Sequence, residues 1–233
     1  SVKRGKSLEQ VLAEAGEMHA EGVGGSSAAG GRLAESLELG PVSVDGLTLM
    51  ETDLSFLQEH LGVEVEGVIG YGVLSRCVVE LDLLAPRIAL REPRGFVLAA
   101  GEWTPFELDH LIPTVNARVE GHEGRFHLDL GSNTGLTFGE PTVRRWNLLE
   151  GRELKEAKLG GVGGMIAAKS GRVAWLELAG LRLADVEATF ALEASGIESA
   201  ADRAGSIGVR VLESFHLTLD YPGLRLCLRK REA

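Results

Sequence analysis

The chain has 233 residues, 44% of them apolar and 25% charged, enough to bury a large core in one domain or two lobes without disulfide staples. A formal net charge of −10 at pH 7 argues against nucleic acid or an anionic membrane surface as partner, since both repel a polyanion. No apolar run reaches the roughly 18 residues that span a bilayer, and Ser1-Val2-Lys3-Arg4 opens a polar stretch rather than a secretory leader, with no starting Met, so residues upstream are expected.

In chain order, SLEQVLAEAG (7–16) has the spacing of a short helix, and LSFLQEHLG (54–62) that of a second, with Asp53 as its cap. VVELDLLAPRIAL (78–90) alternates apolar and polar residues on either side of Ala85-Pro86 and predicts a hairpin. VNARVEGHEGRFHLDL (115–130) predicts another, turning at Gly121–Gly124. PTVRRWNLL (141–149) is a third short helix, opened by Pro141 in its first turn. RVAWLELAGLRLADVEATFAL (172–192) reads as half-buried antiparallel strands. LESFHLTLDYPGLRLCL (212–228) reads as a hairpin turning at Asp220-Tyr221-Pro222-Gly223. The class is mostly β with a few short helices.

The glycine-rich octet GVGGSSAA (22–29) returns as GVGGMIAA (161–168), and order and spacing hold well beyond it. At a shift of 138–139 positions Leu37-Glu38-Leu39 meets Leu176-Glu177-Leu178, Ile69-Gly70 meets Ile207-Gly208, and Leu74 meets Leu212. Leu81-Asp82 then meets Leu219-Asp220, Arg87 meets Arg225, and Leu90 meets Leu228. REPRGFVLAAGEWTP (91–105) has no counterpart and reads as a connector. The expected organisation is a first lobe at 1–95, a connector at 96–105 and a second lobe at 106–233.

One lobe runs from a hairpin ending FHLDLGS to a glycine-rich hairpin and a strand pair, then closes with SIGVRVLESFHLTLDYPGLRLCL. That order resembles a lobe of the retropepsin-like and pepsin-like aspartic proteases. The resemblance implies a two-lobed acid-protease-like β fold and peptide-bond hydrolysis by an aspartate pair, without metal or organic cofactor. It places a catalytic aspartate at Asp129, in an active loop with Leu130, Gly131 and Ser132. It makes Gly22, Val23, Gly24 and Gly25 one substrate-covering flap, and Gly161, Val162, Gly163 and Gly164 the other. The apolar-apolar-Gly loops fall at Val68-Ile69-Gly70 and at Ile207-Gly208. Two carboxylates at close range share one proton, so that one takes a proton from water while the other polarises the scissile carbonyl. Flap glycines leave the backbone open to an extended peptide.

The sequence departs from that pattern twice. Leu130 stands where the family has a hydroxyl residue that braces the active loops. The first lobe carries no Asp motif, since its first aspartate, Asp45, follows the first flap. Three arrangements fit: a longer two-lobed enzyme with its second aspartate upstream of Ser1; a second copy or a separate N-terminal fragment supplying that aspartate; or a non-catalytic peptide-binding relative. The expected partner is a peptide or protein substrate, and the compartment is not indicated, although the family makes the cell envelope or export plausible.

Other candidates are weaker. Cys77 and Cys227 fall in different slots of the repeat and read as buried free thiols. His122-Glu123 and His127 have histidines five apart rather than four, with Gly124 between, which does not make a zinc site on one helix face. His127 reads as a structural polar residue. The glycine octets lack the lysine of a phosphate loop and the third glycine of a dinucleotide fingerprint. Ser26-Ser27 and Ser132 have no nucleophile-elbow context, and Trp103, Trp146 and Trp175 read as packing residues. Glu150–Lys158 reads as a solvated face.

Overall fold

Alternation of apolar and polar residues builds the strands, which among the described residues form three sheets. The computed structural model describes residues 17–22, 25–39, 42–51, 54, 58, 62–161, 164–194 and 201–231. The expected helix at 7–16 and most of that at 54–62, with its cap Asp53, lie outside them. Contacts divide the chain into two units, residues 1–21 with 26–75, and 22–25 with 76–233. No helix of the described residues is long and apolar enough to cross a membrane.

The first unit holds the sheet β1-β2-β3, made of Glu17–Gly22, Gly25–Leu39 and Val42–Glu51. Leu39 faces Val42 and Leu37 faces Val44 across the β2–β3 hairpin, and Val44 and Leu47 are buried. A one-turn helix α1 (Tyr71–Leu74) follows, led in by the extended Gly70.

In the second unit β4 (Val78–Asp82) and β5 (Arg87–Arg91) form the expected hairpin around Ala85-Pro86, where Asp82 Oδ1 accepts the N–H groups of Leu84 and Ala85. After β6 (Thr104–Pro105) and β7 (Glu107–Asp109) come β8 (Ile112–Val119) and β9 (His122–Leu128). Their turn is tighter and earlier than the Gly121–Gly124 expected from sequence. Val119 faces His122, leaving only Glu120 (φ 50°) and Gly121 (φ 93°) between the strands. Positive φ at both central residues matches strand twist in a two-residue turn. Gly124 lies within the strand instead, where a Cβ would press Ala204 and Trp146.

β10 (Leu136–Phe138) leads into α2 (Glu140–Arg145), which has Pro141 in its first turn and is shorter than the 141–149 spacing suggested. Turns take over at Trp146, whose ring is enclosed by Phe126 and Phe138. β11 (Lys155–Gly161), β12 (Gly164–Leu178) and β13 (Leu181–Ala191) form a meander, followed by β14 (Gly205–Ile207) and a one-turn helix α3 (Val209–Leu212). The hairpin of β15 (Phe215–Asp220) and β16 (Arg225–Lys230) turns where expected, with Asp220 Oδ1 accepting the Gly223 N–H at 3.0 Å.

Eight strands order as β11-β12-β13-β10-β14-β9-β8-β7, and β12 also pairs with β8 through Leu176 and Val119. The buried rings of Phe126, Phe138 and Phe190 fill this unit, Phe138 stacked on Phe190 at 5.6 Å. The remaining sheet orders as β5-β4-β15-β16-β6, in which Val78 faces Asp220, Glu80 faces Thr218 and Asp82 faces His216. Cys77 and Cys227 are buried free thiols.

Candidate functional site

β9 enters the core as Phe126-His127-Leu128 and delivers Asp129 into a tight loop before β10. The loop is held from below. β14 runs parallel to β9, with Ile207 opposite Leu128, and antiparallel to β10, with Ile207 opposite Leu136. Backbone bonds then lace the loop to the start of α3. The Asp129 N–H donates to Ile207 O at 3.0 Å, while Gly208 N–H reaches Gly135 O, Val209 N–H reaches Ser132 O and Arg210 N–H reaches Thr134 O. Short strands read by their alternation hide this arrangement, because each of its bonds joins segments some 70 residues apart.

Asp129 is half-buried, and Gly131 N–H donates to its Oδ1 at 2.9 Å. Burial raises its carboxyl above the ordinary aspartate range, and the N–H groups of Gly131 and Ser132 draw it partly back. Among the described residues, no other carboxylate is among the groups that set its proton affinity. Leu130 is half-buried and brings no hydroxyl. A chain of hydroxyls nevertheless runs beside the loop, Ser132 Oγ to Thr134 Oγ1 at 2.8 Å and Thr134 Oγ1 to Thr137 Oγ1 at 3.0 Å. Thr134 and Thr137 had no signal in the sequence beyond being hydroxyl residues near the motif.

Of the residues expected at the site, Asp129, Leu130, Gly131 and Ser132 adjoin Ile207 and Gly208 in the second unit. Gly161 ends β11 and Gly164 begins β12, a hairpin end whose Val162 and Gly163 lie outside the described residues. Gly22 ends β1 and Gly25 begins β2, with Val23 and Gly24 likewise outside them. Val68, Ile69 and Gly70 belong to the first unit and form no strand.

His127 proves to be a buried core group, 3% exposed, with Nε2 3.0 Å from Asp109 Oδ2 and 3.0 Å from Arg203 Nη1. Arg203 also donates to Asp109 Oδ2 at 2.7 Å. Burial, then the adjacent guanidinium, pushes His127 down to about 4, against the pull of Asp109. Burial alone would raise the Asp109 carboxyl, but hydrogen bonds from His127 and Arg203 outweigh it and hold the pKa below its usual value. Sequence reading saw His127 but not its partners, which lie 18 and 76 positions away. His122 is exposed and stacked on Trp146 at 5.0 Å, so the two histidines share no ligand set. No group of three metal-ligating side chains occurs among the described residues.

A cavity of about 750 Å³ lies beyond the loop and is lined by Asn133, Thr134, Arg152, Arg172, Glu187 and Arg210 among others, but not by Asp129. Its charges are largely paired, Arg172 with Asp185 and Arg152 with Glu120, and the space is open to solvent. It is an outer polar recess rather than the seat of Asp129 chemistry.

No protein-family model matches the chain, and no curated protein matches its sequence. Among solved structures, the fold is similar to EIAV protease complexed with the inhibitor HBY-793, at TM-score 0.33 and 19% identity over 44% of this chain and 86% of that one. It is also similar to a retropepsin-like aspartic protease from Rickettsia conorii, at TM-score 0.40 and 15% identity over 57% of this chain and 96% of that one. The second unit itself runs in the order the sequence resemblance implied: hairpin, Asp129 loop, glycine-ended hairpin, strand pair, Ile207-Gly208 loop, short helix and closing hairpin.

Proposed function

We propose that the protein is a retropepsin-like aspartic endopeptidase in which Asp129 is one member of a carboxylate pair that activates water against a peptide bond. The observation that carries this reading is the setting of Asp129: a half-buried carboxyl with raised proton affinity, on a loop fixed by backbone bonds to Ile207–Arg210 and by the Gly131 N–H. A carboxyl so placed keeps a proton into the pH range where its partner is ionised, which is the division of labour that acid and base catalysis needs. The second aspartate comes from an equivalent loop, on a longer form of the chain or on a partner. Gly161–Gly164 and Gly22–Gly25 act as flaps over an extended peptide.

The lobe division at 1–95, 96–105 and 106–233 belongs to this reading. Its support is that β12 and β13 begin 139 positions after β2 and β3, and that α3 begins 138 after α1. Leu130 favours a second reading, a non-catalytic peptide-binding relative, because it removes a loop-bracing hydroxyl. Cleavage of an unfolded protein at acidic pH by the full-length gene product and by Asp129→Asn decides between them. Cleavage lost in Asp129→Asn supports catalysis; equal cleavage by both removes Asp129 from the mechanism; peptide binding without cleavage by either favours the binding relative.

A further inference from the structure

Thr137 sits in β10 at 3% exposure, between Leu136 and Phe138 at 0%. Valine would fill that space with the same branched shape and no hydroxyl to satisfy. Burying a hydroxyl is costly unless it is bonded, so a threonine here needs a partner. Across the sheet Thr137 faces Thr189 of β13 and Ser206 of β14. Its Oγ1 is bonded instead three residues back, in the Asp129 loop, to Thr134 Oγ1 at 3.0 Å. Thr134 Oγ1 shares a second bond with Ser132 Oγ at 2.8 Å.

Every polar group of Ser132 and Thr134 is then engaged. Ser132 N–H donates to Asp129 O at 3.3 Å, and Thr134 N–H donates to Ser132 Oγ at 3.4 Å. Ser132 O accepts Val209 N–H at 2.9 Å, and Thr134 O accepts Arg210 N–H at 3.1 Å. The entry to α3 closes on the same two residues, since a Cβ at Gly208 would stand 2.4 Å from Thr134 O and 3.0 Å from Ser132 O. The loop is tied by its backbone to α3 and by its side chains to β10. Charged groups on the elements around it are His127 on β9, with Asp109 and Arg203 against it, and Arg210 on α3, with Glu187 beside it. None of these is among the groups that shift Asp129; apart from burial, those are the Gly131 and Ser132 N–H groups.

We propose that Thr137, acting through Thr134, is a positioning residue for Asp129. The buried hydroxyl of β10 fixes Thr134, Thr134 fixes Ser132, and Ser132 carries the backbone that closes around the Asp129 carboxyl. With Leu130 bringing no hydroxyl, the loop is braced from inside its own unit and is preorganised there. The inference rests on Asp129 being the reacting carboxyl, but the brace itself is measured without cleavage.

The experiment titrates the Asp129 carboxyl by carbon-13 NMR in the full chain, in the parent, Thr137→Val and Thr137→Ser. Valine keeps the shape and deletes the anchor, so the Ser132 N–H should loosen from Asp129. Less support for the charged form raises its proton affinity, by at least about threefold. Hydrogen exchange at the Val209 and Arg210 N–H groups, which bond to the braced residues, should quicken about tenfold. Thr137→Ser keeps the hydroxyl and should return both readings to the parent. Thr142→Val is the control: its fully buried hydroxyl bonds to Arg203 O, outside the loop, so it should lower stability and leave Asp129 unmoved. If Thr137→Val does not fold, Thr134→Ala breaks the same chain at its half-buried middle and should shift Asp129 in the same direction. An Asp129 titration unmoved by these variants overturns the proposal, as does a shift that Thr137→Ser fails to reverse or that Thr142→Val reproduces. In a full-length gene product that cleaves, kcat should fall in Thr137→Val while KM holds. A shifted titration where the parent cleaves nothing upholds the brace and counts against the catalytic reading alone.

Discussion

Replacing His127 by Gln should remove a defined part of the acid sensitivity of the fold. The imidazole is buried against Arg203 and Asp109, with His110 adding a weaker repulsion, and is held down to about 4 instead of an ordinary 6.5. Between those two values the unfolded chain binds a proton at this site and the folded chain does not, so folding stability declines as the pH falls. The contribution is complete above 6.5, is lost progressively on the way down to about 4, and is gone below it. The gap is worth about 3 kcal/mol, at roughly 1.4 kcal/mol for each tenfold change in proton concentration. Glutamine keeps a polar partner for Arg203 but cannot titrate. Urea unfolding of parent and His127→Gln at about pH 7, 5.5 and 4 isolates the effect, because carboxylates away from the Asp109–His127–Arg203 cluster cancel in the difference. The parent should lose about 3 kcal/mol relative to the variant across that range. A difference that stays flat would refute the reasoning.

Phe138→Ala should cost about 3–5 kcal/mol in chemical unfolding, because the ring is fully buried, stacked on Phe190 and edge-on to Phe126. Gly205→Ala should be at least as damaging, since the new methyl overlaps the Thr137 carbonyl and approaches Phe138 Cα at 3.0 Å; a melting temperature within a few degrees of the parent would contradict the β10–β14 register. Cys77 and Cys227 are buried, and burial raises both thiols, so Ellman's reagent should label neither in the native protein and both in urea.

The hairpins were legible because alternation and turn chemistry are local: Asp82 and Asp220 each cap their own turn within three residues. The β8–β9 turn was misplaced because three candidate residues, Gly121, His122 and Gly124, sit in one run, and only packing shows that Gly124 serves Ala204 and Trp146. Asp129 stood out through its motif. Its support did not, since Ile207 and the Gly208–Arg210 backbone reach it across the fold. The Asp109–His127–Arg203 cluster was hidden for the same reason, as no spacing rule joins residues 94 positions apart.

Shifted by 138 positions, β4 overlays β15, and the observed pairing maps onto itself: Val78 faces Asp220, Asp82 faces His216, and Glu80 faces Thr218 at the centre. A seam that exchanges with itself is what two identical subunits form about a twofold axis. In such an ancestor the central residue would face its own copy, and two glutamates there would repel. On the two-lobe reading proposed above, carrying both halves on one polypeptide lifts that constraint, because each side can change without its twin. It also makes the pairing intramolecular, so the sheet holds at any dilution. Glutamate opposite threonine at the centre is a pairing that no symmetric dimer of identical chains can have on its axis.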